Sequence, residues 1–271
     1  MQCGFIGLGS QGAPMARRML EGGYDVVLWA RRPEVLKPFA GAKAHYAASI
    51  AELGERADHV GVCVVDDAGV REICASLLPA MREGGRIAIH STVHPDTCVE
   101  LAAQARARGI ALIDAPVSGG APAAEAGTLT VMAGGDAEAV EAARPVFETF
   151  GKLIVHLGDV GAGQMAKLVN NALMAAHVAM AHNAVEAAQA LGIERAAFVE
   201  LVKASSGQSY GFNTYARLPS PAAFSHGAAL LSKDVRLLGE ALGPDHPAFT
   251  ALRDAAEPFL KLVHTPPRAS T

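Results

Sequence analysis

The sequence predicts an α/β fold in two parts: a doubly wound parallel sheet over residues 1–157, then an all-α domain over 158–271 entered by one long helix. Three observations carry this. Up to about residue 157, short apolar runs alternate with alanine-rich helical stretches, the pattern of repeated β-α units with right-handed crossovers. Several of the apolar runs show no polar alternation, as strands covered on both faces require. Beyond Gly161 no strand pattern recurs, and helical periodicity is interrupted only by Gly, Pro and Ser. The length of 271 residues fits about two domains. A chain of this size removes roughly 70–75% of its unfolded surface from water and needs no disulfide or metal staple.

In chain order, strands are expected at 3–6, 26–29, 60–65, 86–90, 110–113, 129–133 and 153–156. Helices are expected between them at 11–21, 49–55, 69–80, 96–108 and 137–150. The second part opens on a helix over 163–191, about 29 residues and so roughly 43 Å long. It is hydrophobic on most faces, more than one small domain can cover, so a homodimer or homotetramer is expected. Further helices follow near 194–204, 227–242 and 248–263, and Pro266 and Pro267 begin a short disordered tail.

Composition narrows the function classes. Apolar residues make up 51%, charged residues 18% and aromatics 5%, so the core is built mainly from Ala, Val, Leu and Ile, and disorder is excluded. A net charge of −4 gives no global footprint for nucleic acid or anionic lipid. Cys3, Cys63, Cys74 and Cys98 are scattered without metal-like spacing and read as reduced thiols of a cytoplasmic protein. The opening Met-Gln-Cys-Gly-Phe-Ile-Gly has neither a basic region nor a cleavage site, so no secretory leader is expected. Residues 172–191 carry His177, His182, Asn183 and Glu186, which fits a buried helix rather than a membrane span. His177 and His182, five apart on that helix, read as packing residues. His90 and His94 lack a third ligand, and no metal is expected.

Gly7-Leu8-Gly9-Ser10-Gln11-Gly12 follows a strand and opens an amphipathic helix, the context that gives G-x-G-x-x-G meaning. The first Gly permits the tight turn, the second lets a pyrophosphate approach, and the third allows close helix–sheet packing. The helix N-terminus adds N–H donors and partial positive charge. Residues 1–157 therefore read as a Rossmann-type dinucleotide-binding domain. At the end of the second strand stands Trp29-Ala30-Arg31-Arg32, with no acid before Glu34. Two guanidiniums suit a 2′-phosphate, which favours NADP, with NAD as the alternative. Lysine is scarce, seven against sixteen arginines, yet Lys167 sits among Met165, Ala166, Leu168 and Val169. Burial disfavours the charged amine, the property a proton shuttle uses. Lys167 and Asn171 are i and i+4 and project from one helix face.

Five blocks together resemble the β-hydroxyacid dehydrogenase family, over nearly the whole chain from Gly4 to about Leu262. They are residues 4–16, Ser91-Thr92-Val93-His94-Pro95, Asp114-Ala115-Pro116-Val117-Ser118-Gly119-Gly120 continuing to Gly127-Thr128-Leu129, residues 163–171, and Lys233-Asp234. The resemblance implies hydride transfer between NAD(P)(H) and a small β-hydroxy acid, semialdehyde or keto acid. It gives Lys167 the role of general acid/base and Asn171 that of orienting substrate beside it. Ser118, Gly119 and Gly120 would bind the substrate carboxylate, and Lys233 would reach substrate or cofactor from the helical domain. Gly7, Gly9, Ser10, Gln11, Gly12, Arg31, Arg32, Val65, Asp66 and Thr92 would line the cofactor. Gln11 replaces the family's usual Met. Ala121-Pro122-Ala123-Ala124 departs from its common Gly after the loop, and Tyr210 closes Ser205-Ser206-Gly207-Gln208-Ser209 where Trp is common. These departures leave the substrate open. Imine reduction and a non-catalytic NADP-binding interaction protein are the alternatives; Lys167 argues against the first, and Lys167, Asn171 and Lys233 together argue against the second.

Overall fold

The computed structural model describes residues 1–264; Pro266 and Pro267 lie outside them. The chain divides into two compact units, Met1–Lys167 and the residues from Leu168 onward. The first contains β1 (Gln2–Ile6), α1 (Gly12–Glu21), β2 (Asp25–Trp29), β3 (Ala44–Tyr46), α2 (Ile50–Arg56), β4 (His59–Val62), α3 (Asp67–Ala80), β5 (Arg86–Ile89), α4 (Pro95–Arg106) and β6 (Ala111–Asp114). It continues with β7 (Val117–Ser118), α5 (Gly120–Ala126), β8 (Leu129–Ala133), α6 (Ala137–Phe147), β9 (Gly151–His156) and the start of α7 (Ala162–Ala190).

Six parallel strands form one sheet in the order β3-β2-β1-β4-β5-β6, the arrangement of a Rossmann dinucleotide fold. The apolar runs explain how it is covered. Cys3, Phe5, Val26, Leu28, Ala88 and Ile113 face one core. Their neighbours Ile6, Val27, Val60, Val62, Ile87, Ile89 and Leu112 face the other. Both faces are buried, which is why the strands show no polar alternation. Helix starts are marked by side chains that accept the first free N–H groups. Ser49 caps α2, Asp66 caps α3, His94 caps α4 and Asp136 caps α6.

Three features depart from the sequence expectation. β3 pairs with β2 at the sheet edge; at three residues, two of them exposed, it is too short to show a period. The runs at 129–133 and 153–156 do not extend the main sheet. They form a second sheet, β7-β8-β9, with β7 antiparallel to β8. Residues 120–126, where no helix was expected, are the helix α5.

The second unit is helical: the remainder of α7, then α8 (Arg195–Lys203), α9 (Tyr210–Ala216), α10 (Ser225–Leu242) and α11 (Pro247–His264), with a single 3-10 turn at Pro221–Phe224. α9 and the 3-10 turn fall where no helix was expected. The core gathers Leu168, Ala172, Ala175 and Val178 of α7 with Phe212, Tyr215, Leu231, Val235, Phe249 and Phe259. α9 crosses α7 so closely that a Cβ on Gly211 would lie 2.5 Å from the Cβ of His177. His182 is a packing residue: its Nδ1 bonds the Tyr215 hydroxyl at 2.9 Å and its ring lies 5.2 Å from Phe259. Among the described residues no helix is long and apolar enough to cross a membrane.

Candidate active site

All six strands of the main sheet run the same way, so the segments after their carboxyl ends share one edge, where open α/β sheets bind ligands. The Gly7–Gly12 turn follows β1, Arg31 and Arg32 follow β2, Val65 and Asp66 follow β4, and Thr92 follows β5.

The three glycines have different reasons. Gly7 has φ +98°, and a Cβ there would fall 2.0 Å from the Cys63 carbonyl oxygen. A Cβ on Gly12 would fall 1.9 Å from the Gly7 carbonyl oxygen. Both are demanded by packing inside the protein. Gly9 is different, because a Cβ there would meet nothing within 4 Å. The fold leaves that backbone open, as close approach of a ligand requires. Gln11 does not cap α1 with its side chain, and the first turn holds no acid. The helix therefore presents N–H donors and positive partial charge to an anion. These residues fit a dinucleotide pyrophosphate.

Arg31 and Arg32 stand exposed beyond β2. The Arg31 guanidinium is 2.7 Å from Glu72 on α3, and Arg32 is 3.9 Å from Glu34. Glu72 was not foreseen. Val65 is exposed, while the Asp66 carboxylate accepts the Gly69 N–H at 2.9 Å as the α3 cap. Thr92 lies in a turn whose flanking residues, Ser91 and Val93, are buried.

Asp114 ends β6 fully buried, and its carboxylate accepts the backbone N–H groups of Gly161 and Gln164, each at 2.7 Å. Burial raises its pKa to about 6, against the pull of those N–H donors. The loop it opens runs through Ser118 in β7 to Gly119 and Gly120, whose φ values of +130° and +70° suit glycine. One turn of α7 beyond Gln164 lies Lys167, only 8% exposed.

In the second unit Asn171, Lys233 and Asp234 meet. Asn171 Nδ2 donates to Asp234 Oδ2 at 2.5 Å. Lys233 Nζ lies 3.4 Å from Oδ1, at ion-pair distance but without hydrogen-bond alignment. Asp234 is 3% exposed, so one buried carboxylate holds Asn171 by a hydrogen bond and lies at ion-pair distance from Lys233. Sequence reasoning quoted Asp114 and Asp234 within motifs without giving either a role, and it missed Gln164. The available signal was polarity at positions that helix and strand periodicity make core. Ser205–Gln208 forms an exposed turn, and Ser209 caps α9 by accepting the Phe212 N–H at 2.9 Å. Among the described residues no group of three or more His, Cys, Asp or Glu is arranged to hold a metal ion.

Comparison with known proteins matches both parts of the chain. Residues 2–158 match the NAD binding domain of 6-phosphogluconate dehydrogenase. Residues 161–261 match the NAD-binding domain of NADP-dependent 3-hydroxyisobutyrate dehydrogenase. The NAD-dependent L-serine dehydrogenase of Pseudomonas aeruginosa is 38% identical over 259 residues, 89% of this chain and 85% of the relative. The mouse mitochondrial 3-hydroxyisobutyrate dehydrogenase is 32% identical over 246 residues, 86% of this chain and 73% of the relative. The solved structure of Mycobacterium tuberculosis 3-hydroxyisobutyrate dehydrogenase with L-serine superposes at a TM-score of 0.84 and 29% identity, covering 99% of this chain and 100% of the other. With its Rossmann sheet, open glycine turn and helical second unit, the chain belongs to the NAD-dependent β-hydroxyacid dehydrogenase family of oxidoreductases.

Proposed function

We propose that the enzyme interconverts a small β-hydroxy acid and its semialdehyde or keto acid, with NADP(H) preferred and Lys167 as the proton donor and acceptor. The observation that carries this reading is Lys167 itself, a lysine only 8% exposed between Ala166 and Leu168 in the first turns of α7. When bound, the nicotinamide supplies hydride donation and acceptance at the carbonyl carbon. Gly7, Gly9, Ser10, Gln11 and Gly12 hold the pyrophosphate, and Val65, Asp66 and Thr92 line the rest of the dinucleotide. Ser118, Gly119 and Gly120 bind the substrate carboxylate. Asn171 orients the hydroxyl or carbonyl oxygen, Lys167 Nζ moves the proton to or from that oxygen, and Lys233 contacts substrate or cofactor. The relatives named above support 3-hydroxyisobutyrate and L-serine as first substrates to try. A screen of C3–C5 hydroxy acids, semialdehydes and keto acids with both cofactors tests the class. No turnover of any β-hydroxy acid or its oxidised partner would defeat it.

The cofactor preference rests on Arg31 and Arg32. Both guanidiniums are exposed, Arg31 by 69%, and their present partners form surface pairs worth about 0–1 kcal/mol, which a 2′-phosphate can displace. Fluorescence titration is expected to show tighter binding of NADPH than NADH, and Arg31→Asp to reverse the order. Equal affinities in the unmodified enzyme would remove the phosphate-clamp role.

Met165, Val169, Leu173 and Met180 expose an apolar stripe at helical spacing along α7, and a second copy of the chain is the proposed cover. Sedimentation at micromolar concentration is expected to give a homodimer or homotetramer; a monomer of 27.9 kDa overturns this. The four cysteines are free thiols, which suits a reducing cytoplasm.

A further inference from the structure

Gln164 is fully buried and takes no part in proton or hydride transfer. Its side-chain amide straddles the turn that holds Thr92. Oε1 accepts the Val93 N–H at 3.1 Å, and Nε2 donates to the Ser91 carbonyl oxygen at 2.8 Å. The Ser91 hydroxyl accepts the Val64 N–H at 2.7 Å, so the segment leading into Val65 and Asp66 is tied to the same turn. On its backbone side, Gln164 donates its N–H to Asp114, which also receives the Gly161 N–H. Two glycines create the space for this arrangement. A Cβ on Gly134 would fall 2.5 Å from the Asp114 carboxylate, and one on Gly163 would fall 2.3 Å from the Met132 carbonyl oxygen.

The result is a closed set of buried bonds in which every polar atom of the Gln164 amide chain has a use. A hydrocarbon of similar volume would leave the buried Val93 N–H and Ser91 carbonyl oxygen without these partners. The amide satisfies both and joins the segment after β5 to the first turn of α7, three residues before Lys167.

We propose that Gln164 is a positioning residue that fixes the Thr92 turn against the helix turn carrying Lys167, and thereby sets the alignment of bound nicotinamide with the proton-transferring amine. This rests on the roles given to Thr92 and Lys167 above. Misplacing reacting groups by about 1 Å through a distant change costs up to about 10²-fold in rate.

The test uses Gln164→Met in the full-length enzyme, which keeps side-chain length and loses both amide bonds. Three quantities are read: kcat, the primary deuterium isotope effect on kcat with 4-deuterated NADPH, and NADPH affinity by fluorescence titration. The expected result is a kcat lower by about 10–10²-fold, a larger isotope effect, and retained NADPH binding. A folded Gln164→Met enzyme with unchanged kcat and isotope effect overturns the proposal. Where Gln164→Met is not recovered folded, Gln164→Glu carries the same test, since it keeps length and the acceptor for Val93 N–H. It cannot donate to the Ser91 carbonyl oxygen, so it is expected to lower kcat and enlarge the isotope effect relative to the unmodified enzyme, and wild-type values of both overturn the proposal equally. Lys167→Ala is measured in parallel. An inactive Lys167→Ala beside a fully active Gln164→Met removes the positioning role alone, whereas a fully active Lys167→Ala removes the lysine reading on which it stands.

Discussion

Lys167→Ala is expected to lower kcat by about 10²–10⁴-fold while NADPH affinity changes little. The expected size follows from what is removed. Reduction of a carbonyl needs a proton at the oxygen as hydride reaches the carbon, and a positioned side chain supplies it far better than bulk water. Lys167 is nearly excluded from solvent, so bulk water has little access to the position the amine leaves. The glycine turn and the Arg31-Arg32 pair, to which cofactor binding is assigned, are untouched by the change. Lys167→Arg separates charge from proton transfer. Guanidinium keeps the positive charge but does not release its proton near neutral pH, so it is expected to rescue little. Stopped-flow single turnovers of NADPH oxidation read the chemical step directly. A full-rate Lys167→Ala enzyme would assign the proton to another donor.

The second large effect is on stability below neutral pH. His59 and His90 are buried in the first unit, and burial lowers their pKa values to about 3 and about 4. His90 has one polar partner, its Nδ1 bonding the Ala115 carbonyl oxygen at 2.8 Å; neither ring nitrogen of His59 has one. Both rings lie against Phe147. Each stays neutral in the fold and gains a proton on unfolding once pH drops below the ordinary imidazole value of about 6.5. The unfolded chain then binds more protons, so stability falls as pH falls from about 6.5 toward about 4. Together the two rings cost on the order of 5 kcal/mol at pH 4. Asp114 acts with opposite sign. Its pKa is raised from 3.8 to about 6, so the fold holds that proton more tightly and gains part of the loss back as pH falls through that window. Urea unfolding at pH 8, 6 and 4.5 is expected to show a net loss. His59→Leu, which replaces an unsatisfied polar ring by hydrocarbon, is expected to flatten the dependence and to stabilise more at pH 4.5 than at pH 8. Parallel pH curves for the two proteins would place the acid sensitivity elsewhere.

Much of this molecule is legible in its sequence because its physics is local. Apolar strands, glycine punctuation and one long helical pattern locate β1, β2, β4, β5, β6 and α7, the last within a residue at each end. The G-x-G-x-x-G turn is legible for the same reason: turn, approach and packing all concern neighbours. What escaped is set by distant partners. Nothing in residues 129–133 says which sheet they join. Arg31 and Glu72 meet across 41 residues, Asp114 and Gly161 across 47, and Gln164 and Ser91 across 73. A buried Asp or Gln such as Asp114 or Gln164 calls for a partner, but only the fold says which. α9 escaped because Gly211 interrupts a seven-residue helix whose position is decided by its crossing with His177.

The Asp114 carboxylate bears on how the protein is made. A ribosome delivers the sheet strand by strand, and the last strand of this unit is complete at His156. At that moment Asp114 has its place at the end of β6 but not the two N–H donors that offset its burial, because Gly161 and Gln164 have yet to emerge. In a nascent chain halted at the last strand, burial without those donors favours the protonated form of that carboxyl, and the carboxylate is fixed only when they arrive. Folding of the amino-terminal unit is thus completed by the opening turn of a helix that belongs mostly to the next one.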